Sequence, residues 1–338
     1  MKDRREAGPC AGARPGAAWW VVMAAALMIA GCGGNEGVVR PAQAPEAGGF
    51  PVVLVDARGK EVRVERRPER ILSMAPTVTE ILFALGLGDR VVAVTDQCNY
   101  PPEAAALPKV GKWFTPSTER ALAVEPDLVV SSRGNPPAFL ESLERAGCPV
   151  FSIDPKTLED IYEAIRAVAR IAGEPQAGEG LIGEMQDRLA AVEARVGGVP
   201  EEQRPTAFIV LQLAPLWTAG SGTFQDDAIR VAGGRNIAAG RGGFAGFGTE
   251  SLLAADPDFL VLSTMEGDPD RMRREVLADS SLRRLSAVRG GRVLVLEADP
   301  VMRPGPRIVE AVEAMARGFY PQRFGGSQGA SSSATSAR

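Results

Sequence analysis

The chain has 338 residues, of which 45% are hydrophobic and 24% are charged. This composition is typical of a globular protein with room for two domains, and it excludes a disordered, collagen-like or multi-span membrane protein. The formal net charge of −4 provides no basic surface for nucleic acid. The chain contains 0 histidines, which excludes Ser-His-Asp and Cys-His catalysis and any imidazole ligand for zinc, haem iron or cobalt.

The N-terminal residues 1–31 resemble a bacterial lipoprotein signal peptide. Basic residues precede an apolar run from Ala17 to Ala30, which is too short to span a bilayer as a mature helix. Met-Ile-Ala-Gly then leads directly into Cys32, and small residues before a cysteine resemble a lipobox. The resemblance implies cleavage before Cys32 and its acylation, hence a cell-membrane lipoprotein that faces the periplasm or the extracellular side. The alternative is an ordinary secretory signal with an incidental cysteine.

Two segments lack the apolar periodicity of a folded domain. Residues 32–49 are rich in Pro, Ala, Gly and Glu and predict a flexible tether. Residues 324–338 form a Gly/Ser/Ala tail that we expect to be disordered.

Short β-branched runs alternate with helical stretches through the rest of the chain. The predicted strands are Val52–Val55, Ile71–Met74, Val91–Val94, Leu128–Ser131, Val150–Ile153, Phe208–Leu213, Phe259–Ser263 and Val293–Leu296. Strands that alternate with helices predict α/β lobes with largely parallel sheets. Asp56 to Gly59 predict a hairpin turn in which glycine supplies the positive φ.

Two helices are predicted between the two sets of strands. Apolar residues recur at spacings of three and four over 157–172 and again over 177–196. A helix of about 20 residues is about 30 Å long, enough to pass from one lobe to another. We therefore predict an N-terminal lobe over 50–156, connecting helices over 157–198 and a C-terminal lobe over 199–323. The alternative is that both helices belong to the core of one domain.

Cys98 and Cys148 remain in the mature chain besides Cys32. An oxidising compartment permits a disulfide between them, but we expect two separate buried thiols.

An internal repeat supports the prediction of two lobes. Residues 117–130 and 248–261 both contain Thr-Glu, a short helix, Pro-Asp and a buried strand, with the same spacing from Glu to Pro-Asp. Glu119 and Glu250 are therefore equivalent positions, one in each lobe, and Thr118 and Thr249 are the predicted N-caps. A single glutamate there would simply complement the helix dipole. A matched pair on an exported, two-lobed protein favours docking to a partner.

Six motifs carry a resemblance to a known family over about residues 50–320. They are Ser-Met-Ala-Pro-Thr-Val-Thr-Glu at 73–80, Asn-Tyr-Pro-Pro-Glu-Ala at 99–104, Trp113 shortly before Glu119, Arg-Gly-Asn at 133–135, Asp299 to Arg303, and Pro-Arg-Ile at 306–308. The chain resembles class III periplasmic substrate-binding proteins of ABC importers for vitamin B12, ferric siderophores and haem, and most resembles the cobalamin-binding branch. The resemblance implies two Rossmann-like α/β lobes joined by a long rigid helix, with the ligand cleft between them. It also implies cobalamin as transported ligand, with a ferric siderophore or haem as the alternative, and no catalytic cofactor.

The resemblance further implies which side chains line the cleft. Aromatic residues from both lobes do so in cobalamin binders, and the matching positions here are Pro76, Tyr100, Trp113, Trp217 and Phe244. Phe247 shares a Gly-rich loop with Phe244, and aromatic side chains on loops favour a ligand contact over a place in the core. Core packing is the alternative for each aromatic residue taken alone.

Asp299 and Arg303 match an Asp and an Arg that face the ligand in cobalamin binders. The adjacent prolines predict an irregular loop and argue against an ordinary helical i,i+4 pair. The two side chains would bond corrin amides or pair with each other at the surface. Arg133 and Arg303 also suit an anionic siderophore or haem propionates.

By the family pattern, Glu119 and Glu250 contact arginines on the permease subunits, which work with an ATPase. We expect a monomer that binds no nucleic acid. The competing class is a carboxylate-dependent hydrolase using Asp226 and Asp227, or Asp256 and Asp258, which no motif supports. The match to G-x-S-x-G at 325–329 lies in the predicted tail, away from any strand-to-helix turn.

Overall fold

The computed structural model describes residues 49–263 and 269–325. The predicted signal peptide, Cys32, nearly all of the tether and the tail from residue 326 lie outside these ranges. Within them, no helix combines the length and the apolar character needed to cross a bilayer.

The described residues alternate between strands and helices, as the sequence pattern predicts. The strands are β1 (Val52–Val55), β2 (Glu61–Val64), β3 (Ile71–Ser73), β4 (Val91–Val94), β5 (Gly111–Lys112), β6 (Thr115–Pro116), β7 (Leu128–Ser132), β8 (Val150–Ile153), β9 (Thr206–Val210), β10 (Trp217–Ala219), β11 (Arg235–Asn236), β12 (Phe244–Gly246), β13 (Phe259–Leu262) and β14 (Val293–Val295). The helices are α1 (Pro76–Ala84), α2 (Pro102–Ala105), α3 (Thr118–Ala123), α4 (Pro137–Arg145), α5 (Leu158–Ile171), α6 (Pro175–Val196), α7 (Phe224–Val231), α8 (Thr249–Ala255), α9 (Pro269–Ala278), α10 (Ser286–Arg289), α11 (Ala298–Met302) and α12 (Ile308–Phe319).

Two separate four-stranded parallel sheets organise the chain. The first has the strand order β4-β3-β7-β8 and the second β11-β9-β13-β14. In each sheet the strand that comes second in the chain lies at one edge, followed by the first, third and fourth. The two sheets thus share one topology, which confirms the predicted α/β architecture. We call the residues packed around the first sheet the N-terminal lobe and those around the second the C-terminal lobe.

The second sheet differs in detail from the prediction. Strand β9 starts at Thr206, two residues before the predicted Phe208, because the Asp258 carboxylate accepts hydrogen bonds from the backbone N–H and the hydroxyl of Thr206, both at 2.8 Å. Strand β11 was not predicted, since its two polar residues pair with β9 through the backbone alone and carry no apolar signal.

The two predicted connecting helices are α5 and α6. Helix α5 begins after Thr157 in a capping box: the Thr157 hydroxyl accepts the backbone N–H of Asp160, and the Asp160 carboxylate accepts the backbone N–H of Thr157. Burial by itself raises the pKa of Asp160, but the N–H groups of Lys156 and Thr157 outweigh it and lower the pKa below its ordinary value. Helix α6 has 22 residues and starts with Pro175 in its first turn. Its length is about 33 Å at 1.5 Å per residue.

The largest hydrophobic cluster contains side chains from both sheets. Ile71 of β3 and Ile209 of β9 belong to it, together with the buried faces of α5, α6 and α12. On α6 that face includes Met185 and Leu189, and α6 packs against α5, α7 and α12. Helices α5, α6 and α12 therefore share one hydrophobic core with both sheets.

Three small antiparallel pairs form separate two-stranded sheets. Strands β1 and β2 form the predicted hairpin, with Gly59 at φ +75°. Strands β5 and β6 form a hairpin whose two-residue turn is Trp113-Phe114. Strand β12 forms within the segment predicted as a Gly-rich loop and pairs with β10, which corrects the placing of Phe244 on a loop.

Cys98 and Cys148 are both free thiols. Cys98 is buried in the largest cluster, whereas Cys148 is only half-buried beside α4 and β8. Burial raises the pKa of the Cys148 thiol, with the Asp127 charge as a second cause.

Candidate functional site

The predicted site residues collect at the carboxyl ends of the parallel strands. Pro76 begins α1 directly after β3, Tyr100 follows β4, and Arg133 follows β7. In the C-terminal lobe Trp217 follows β9 and Asp299 follows β14. Parallel strands end at one edge of their sheet, and in open α/β sheets the crevice at this edge is where ligands bind. Each lobe therefore contributes a set of site residues from the corresponding edge.

Trp113 is held by the backbone around it. Its N–H donates to the Gln97 side chain at 3.1 Å, and its carbonyl accepts from Asn135 Nδ2 at 2.8 Å. The same Asn135 amide donates to the Met74 carbonyl at the end of β3, at 2.9 Å. The Trp113 ring covers Gly134, where a Cβ would overlap the ring. The hairpin tip that carries Trp113 is thus fixed to the carboxyl ends of β3 and β7.

Trp217 and Phe244 share one face of the β10–β12 pair. Trp217 lies opposite Gly246, and Ala219 lies opposite Phe244. Residues that face each other across an antiparallel pair point to the same side, so the two aromatic side chains are diagonal neighbours with only glycine and alanine beside them. Thr218 points to the other side, where it is buried and donates to the Ile209 carbonyl at 2.7 Å.

The structure leaves four large aromatic side chains of the described residues exposed. They are Tyr100 (40%), Phe114 (50%), Trp217 (40%) and Phe244 (51%). Three of the four are predicted ligand contacts. Phe114 was not predicted, although its position beside Trp113 was a usable signal; the two rings meet edge to face at 6.0 Å between centroids. Exposed aromatic surface of this kind makes these residues candidates for ligand contact.

Phe247 and Arg133 have different surroundings from these aromatic residues. Phe247 is half-buried and packs against Phe208 of the C-terminal core, with ring centroids 4.9 Å apart. Arg133 is exposed and lines a cavity of about 410 Å³ beside Arg58 and Glu141.

Asp299 and Arg303 pair with each other, which was one of the two expectations from the sequence. Asp299 lies in the first turn of α11, Arg303 is its C-cap residue, and Arg303 Nη2 lies 2.8 Å from Asp299 Oδ1 at i,i+4 spacing. The expected irregular loop was wrong because Pro300 lies in the first turn of α11, where a missing backbone N–H costs no helical hydrogen bond. Arg303 Nη1 also binds Glu80 of α1 at 2.9 Å, so both terminal nitrogens are occupied.

Glu80 connects the two lobes at this edge. Its side chain is buried, and its partners Arg303 and Arg307 come from the segment between β14 and α12. Burial raises the pKa of Glu80 above its ordinary value, and the two guanidinium groups offset only part of that rise. Glu80 and Arg307 stand within two of the six motifs, but nothing in their spacing indicated that they meet.

The repeated glutamates lie on equivalent helices. Glu119 in α3 and Glu250 in α8 are exposed residues of the first turn, and each helix leads into the third strand of its lobe. The predicted N-caps are wrong by one residue. Ser117 caps α3 by accepting from the Arg120 N–H, and Gly248 occupies the N-cap position of α8.

The aspartates of the repeat have a structural role that the sequence pattern did not indicate. Asp127 accepts the backbone N–H groups of Glu69 and Arg70 at 2.9 Å, which ties the start of β7 to the start of β3. Asp258 does the same between β13 and β9 through Thr206. The repeat therefore combines a structural aspartate with an exposed glutamate in each lobe.

A model of the periplasmic binding protein family matches residues 71–300 of this chain. The chain belongs to this family. An ABC transporter substrate-binding lipoprotein of Bacillus subtilis is 29% identical over 311 residues, which cover 90% of this chain and 97% of that protein. A vitamin B12-binding protein of Vibrio cholerae is 32% identical over 247 residues, covering 72% of this chain and 87% of the relative. Among solved structures, a periplasmic heme binding protein from Pseudomonas aeruginosa is 28% identical and has a TM-score of 0.69, covering 75% of this chain and 93% of that one.

Members of this family are the substrate-binding proteins of ABC importers. They bind a small molecule and work with a cognate permease and ATPase, and they are not enzymes. The predicted family, the two-lobed α/β fold and the non-enzymatic role of this periplasmic binding protein are confirmed. Its relatives are named for vitamin B12 and for heme, so family membership alone leaves both ligand classes open.

Proposed function

We propose that this binding protein captures cobalamin and delivers it to an ABC importer. The observation that carries the proposal is the set of exposed aromatic side chains at the carboxyl edges of both sheets, above all Trp217 and Phe244 on one face. A corrin is a large, mostly apolar ring with polar amides at its rim. Aromatic walls bury such a ring, and a few polar groups at the edge orient it.

Trp113 and Tyr100 are the proposed contacts from the N-terminal lobe, with Pro76 beside them at the start of α1. Phe247 is omitted because its ring packs against Phe208 of the C-terminal core. Arg303 is also omitted, because Glu80 and Asp299 occupy its guanidinium. The cobalt would keep its own lower axial ligand, since the chain has 0 histidines to replace it.

Haem is the second candidate, and the exposed Tyr100 side chain favours it. A phenolate is one of the side chains that bind haem iron, and Tyr100 is the half-exposed tyrosine at the predicted cleft. The exposed guanidinium of Arg133 would then pair with a propionate.

Calorimetric titration of the purified protein with cyanocobalamin, haemin and a ferric hydroxamate separates these candidates. Trp217→Ala and Phe244→Ala should each weaken cobalamin binding by about tenfold or more. The reason is that an aromatic side chain buried by the ligand contributes roughly 1.5–3 kcal/mol to the binding free energy. Leu277→Ala is the matched control, because this side chain is an exposed apolar residue on α9, at 38%. Tyr100→Phe should abolish haem binding if haem is the ligand and change cobalamin binding little. Absence of cobalamin binding by the wild-type protein would overturn the proposal.

The proposed route of delivery involves two further sets of residues. Acylated Cys32 anchors the protein to the membrane, and Glu119 and Glu250 dock one lobe each onto cationic side chains of the permease. A pair of exposed carboxylates on separate lobes sets encounter rate and orientation, which suits a monomer that must present both lobes together.

A further inference from the structure

A cluster of charged side chains bridges the two lobes next to the proposed ligand site. Glu80 Oε1, from α1 of the N-terminal lobe, lies 2.9 Å from Arg303 Nη1 and 3.5 Å from Arg307 Nη1. Both arginines follow β14 in the C-terminal lobe. No long-range sequence pattern connects these residues, so only the packing of one lobe on the other brings them together.

This bridge is buried to an unusual degree for charged groups. Glu80 is 3% exposed, and its Oε2 has no hydrogen-bond partner among the described residues. The Nε and Nη1 atoms of Arg307 are also buried without a well-aligned hydrogen bond to a described residue. Burying ionised groups with incomplete hydrogen bonding is costly, so the bridge is not an arrangement that maximises stability.

Several charges face Glu80 and Arg307 from the surrounding elements. Arg307 is within 3.5–3.9 Å of carboxylate oxygens from four residues, namely Glu80, Glu297, Asp299 and Glu310. These carboxylates hold the guanidinium of Arg307 in place from both lobes. The combined attraction of the four carboxylates fixes the plane of the Arg307 guanidinium, although none of them lies closer to it than 3.5 Å.

The fixed guanidinium covers the ring of Tyr100. The Arg307 Cζ atom lies 3.9 Å from the ring centroid, which is a close cation–π contact. Tyr100 itself is 40% exposed and lies on the loop after β4, and its hydroxyl makes no hydrogen bond to a described residue. Arg307 is therefore in direct contact with the face of this exposed ring.

We infer that Glu80 and Arg307 are positioning residues, which form an ion-pair bridge between the lobes that holds the Tyr100 ring in the orientation used for ligand contact. The bridge makes the position of an N-terminal lobe side chain depend on the C-terminal lobe. Its effect on ligand affinity rests on the proposed function, whereas its effect on the Tyr100 ring does not.

The position of the ring is measurable without any ligand. The protein has 3 tyrosines, so labelling with 3-fluorotyrosine gives three ¹⁹F NMR signals, and Tyr100→Phe assigns the one of interest. Arg307→Met and Glu80→Gln should shift the Tyr100 signal towards that of solvent-exposed fluorotyrosine and leave the signals of Tyr162 and Tyr320 unchanged. Those two unchanged signals also show that the variants are folded.

Two more variants complete the ¹⁹F experiment. Arg317→Met is the matched control, because Arg317 is an exposed arginine of α12 that pairs with Glu313 at 3.8 Å. Arg307→Lys keeps the charge and loses the planar stack, so it tests the ring contact if Arg307→Met or Glu80→Gln does not fold. An unchanged Tyr100 signal in the folded Arg307 variants would overturn the inference.

A double-mutant cycle tests the consequence for binding, with cyanocobalamin as the probe. Arg307→Met should weaken binding about tenfold when Tyr100 is present, and much less in a Tyr100→Leu background, because the arginine acts through the ring. Equal losses in both backgrounds would contradict the inference and assign Arg307 an independent effect. If wild-type protein binds no cobalamin, the proposed function fails, and the ¹⁹F result still decides whether the bridge positions Tyr100.

Discussion

Gly134 allows the Trp113 ring to lie against the end of β7. It has φ +95°, a conformation that glycine adopts freely, and any Cβ there would overlap the ring. The sequence showed only a tryptophan at 113 and an Arg-Gly-Asn motif at 133–135, neither of them within a run of periodic apolar residues. It offered no sign that the glycine and the tryptophan touch, because the contact joins a hairpin tip to a strand end in a different part of the chain.

Replacing Gly134 by alanine should displace Trp113, and Gly147→Ala is the control. Gly147 has φ +87°, and no atom lies within 4 Å of the place that a Cβ would take, so the two substitutions share backbone strain but not the clash. We expect each to lower the free energy of unfolding by about 1–2 kcal/mol in urea titrations. Trp113 and Trp217 are the tryptophans of the described residues, so fluorescence reports directly on the site. A change in emission for Gly134→Ala alone is expected; identical spectra for both variants would contradict the contact.

At the scale of elements, the helix-to-strand repeat is the feature that the sequence predicted best. Helices α3 and α8 lead into the third strands of the two sheets, and Glu125 and Asp256 have positive φ at equivalent repeat positions. The prediction succeeded because each copy of the repeat is a short continuous segment. Its two signals, a first-turn glutamate and Pro-Asp before a buried strand, lie within eight residues of each other along the chain. The small pairs β5–β6 and β10–β12 were missed because two or three residues are too few to show a period.

Substitutions of the aspartate and of the glutamate in each repeat should have different effects, the first on folding stability and the second on docking. Asp127→Ala and Asp258→Ala each remove two hydrogen bonds at a strand start and should lower the free energy of unfolding by about 1–3 kcal/mol. Glu119→Ala with Glu250→Ala should change it by less than about 1 kcal/mol, since both side chains are exposed.

Uptake assays complete this comparison. The double glutamate variant should lose ligand transport in cells that depend on this protein and keep its ligand affinity in calorimetry. The aspartate variants should keep transport in proportion to the folded protein present. Loss of ligand affinity in the glutamate variant would place these residues in the pocket or the core instead of at a docking surface.

At the scale of the whole molecule, one hydrophobic cluster extends from the first sheet through α5, α6 and α12 to the second. The length of the connecting helix by itself predicts a stiff connection. The structure adds a second cause, because α6 packs along its buried face against helices on both sides. Packed cores resist continuous deformation, so large hinge opening would have to separate apolar surfaces that are now in contact.

We therefore expect ligand binding to change the radius of gyration by no more than the error of small-angle X-ray scattering. The measurement compares the same preparation with and without saturating ligand, so that the segments outside the described residues contribute equally. Met185→Ala on α6 should loosen this packing and make the scattering more sensitive to ligand. A large compaction of the wild-type protein would contradict a stiff connection.

The sequence by itself determined the local and repeated features of this protein. Apolar periodicity located seven of the eight strands of the two parallel sheets and the two middle helices, the repeat revealed two similar lobes, and the absence of histidine removed whole classes of chemistry. Only the tertiary structure decided that Asp299 and Arg303 pair with each other, that Phe247 packs against the C-terminal core, and that Glu80 and Arg307 bridge the lobes. Periodicity and spacing report on neighbours along the chain. The Phe208–Phe247 contact instead depends on how the C-terminal lobe folds, and the Glu80–Arg307 contact on how one lobe packs on the other.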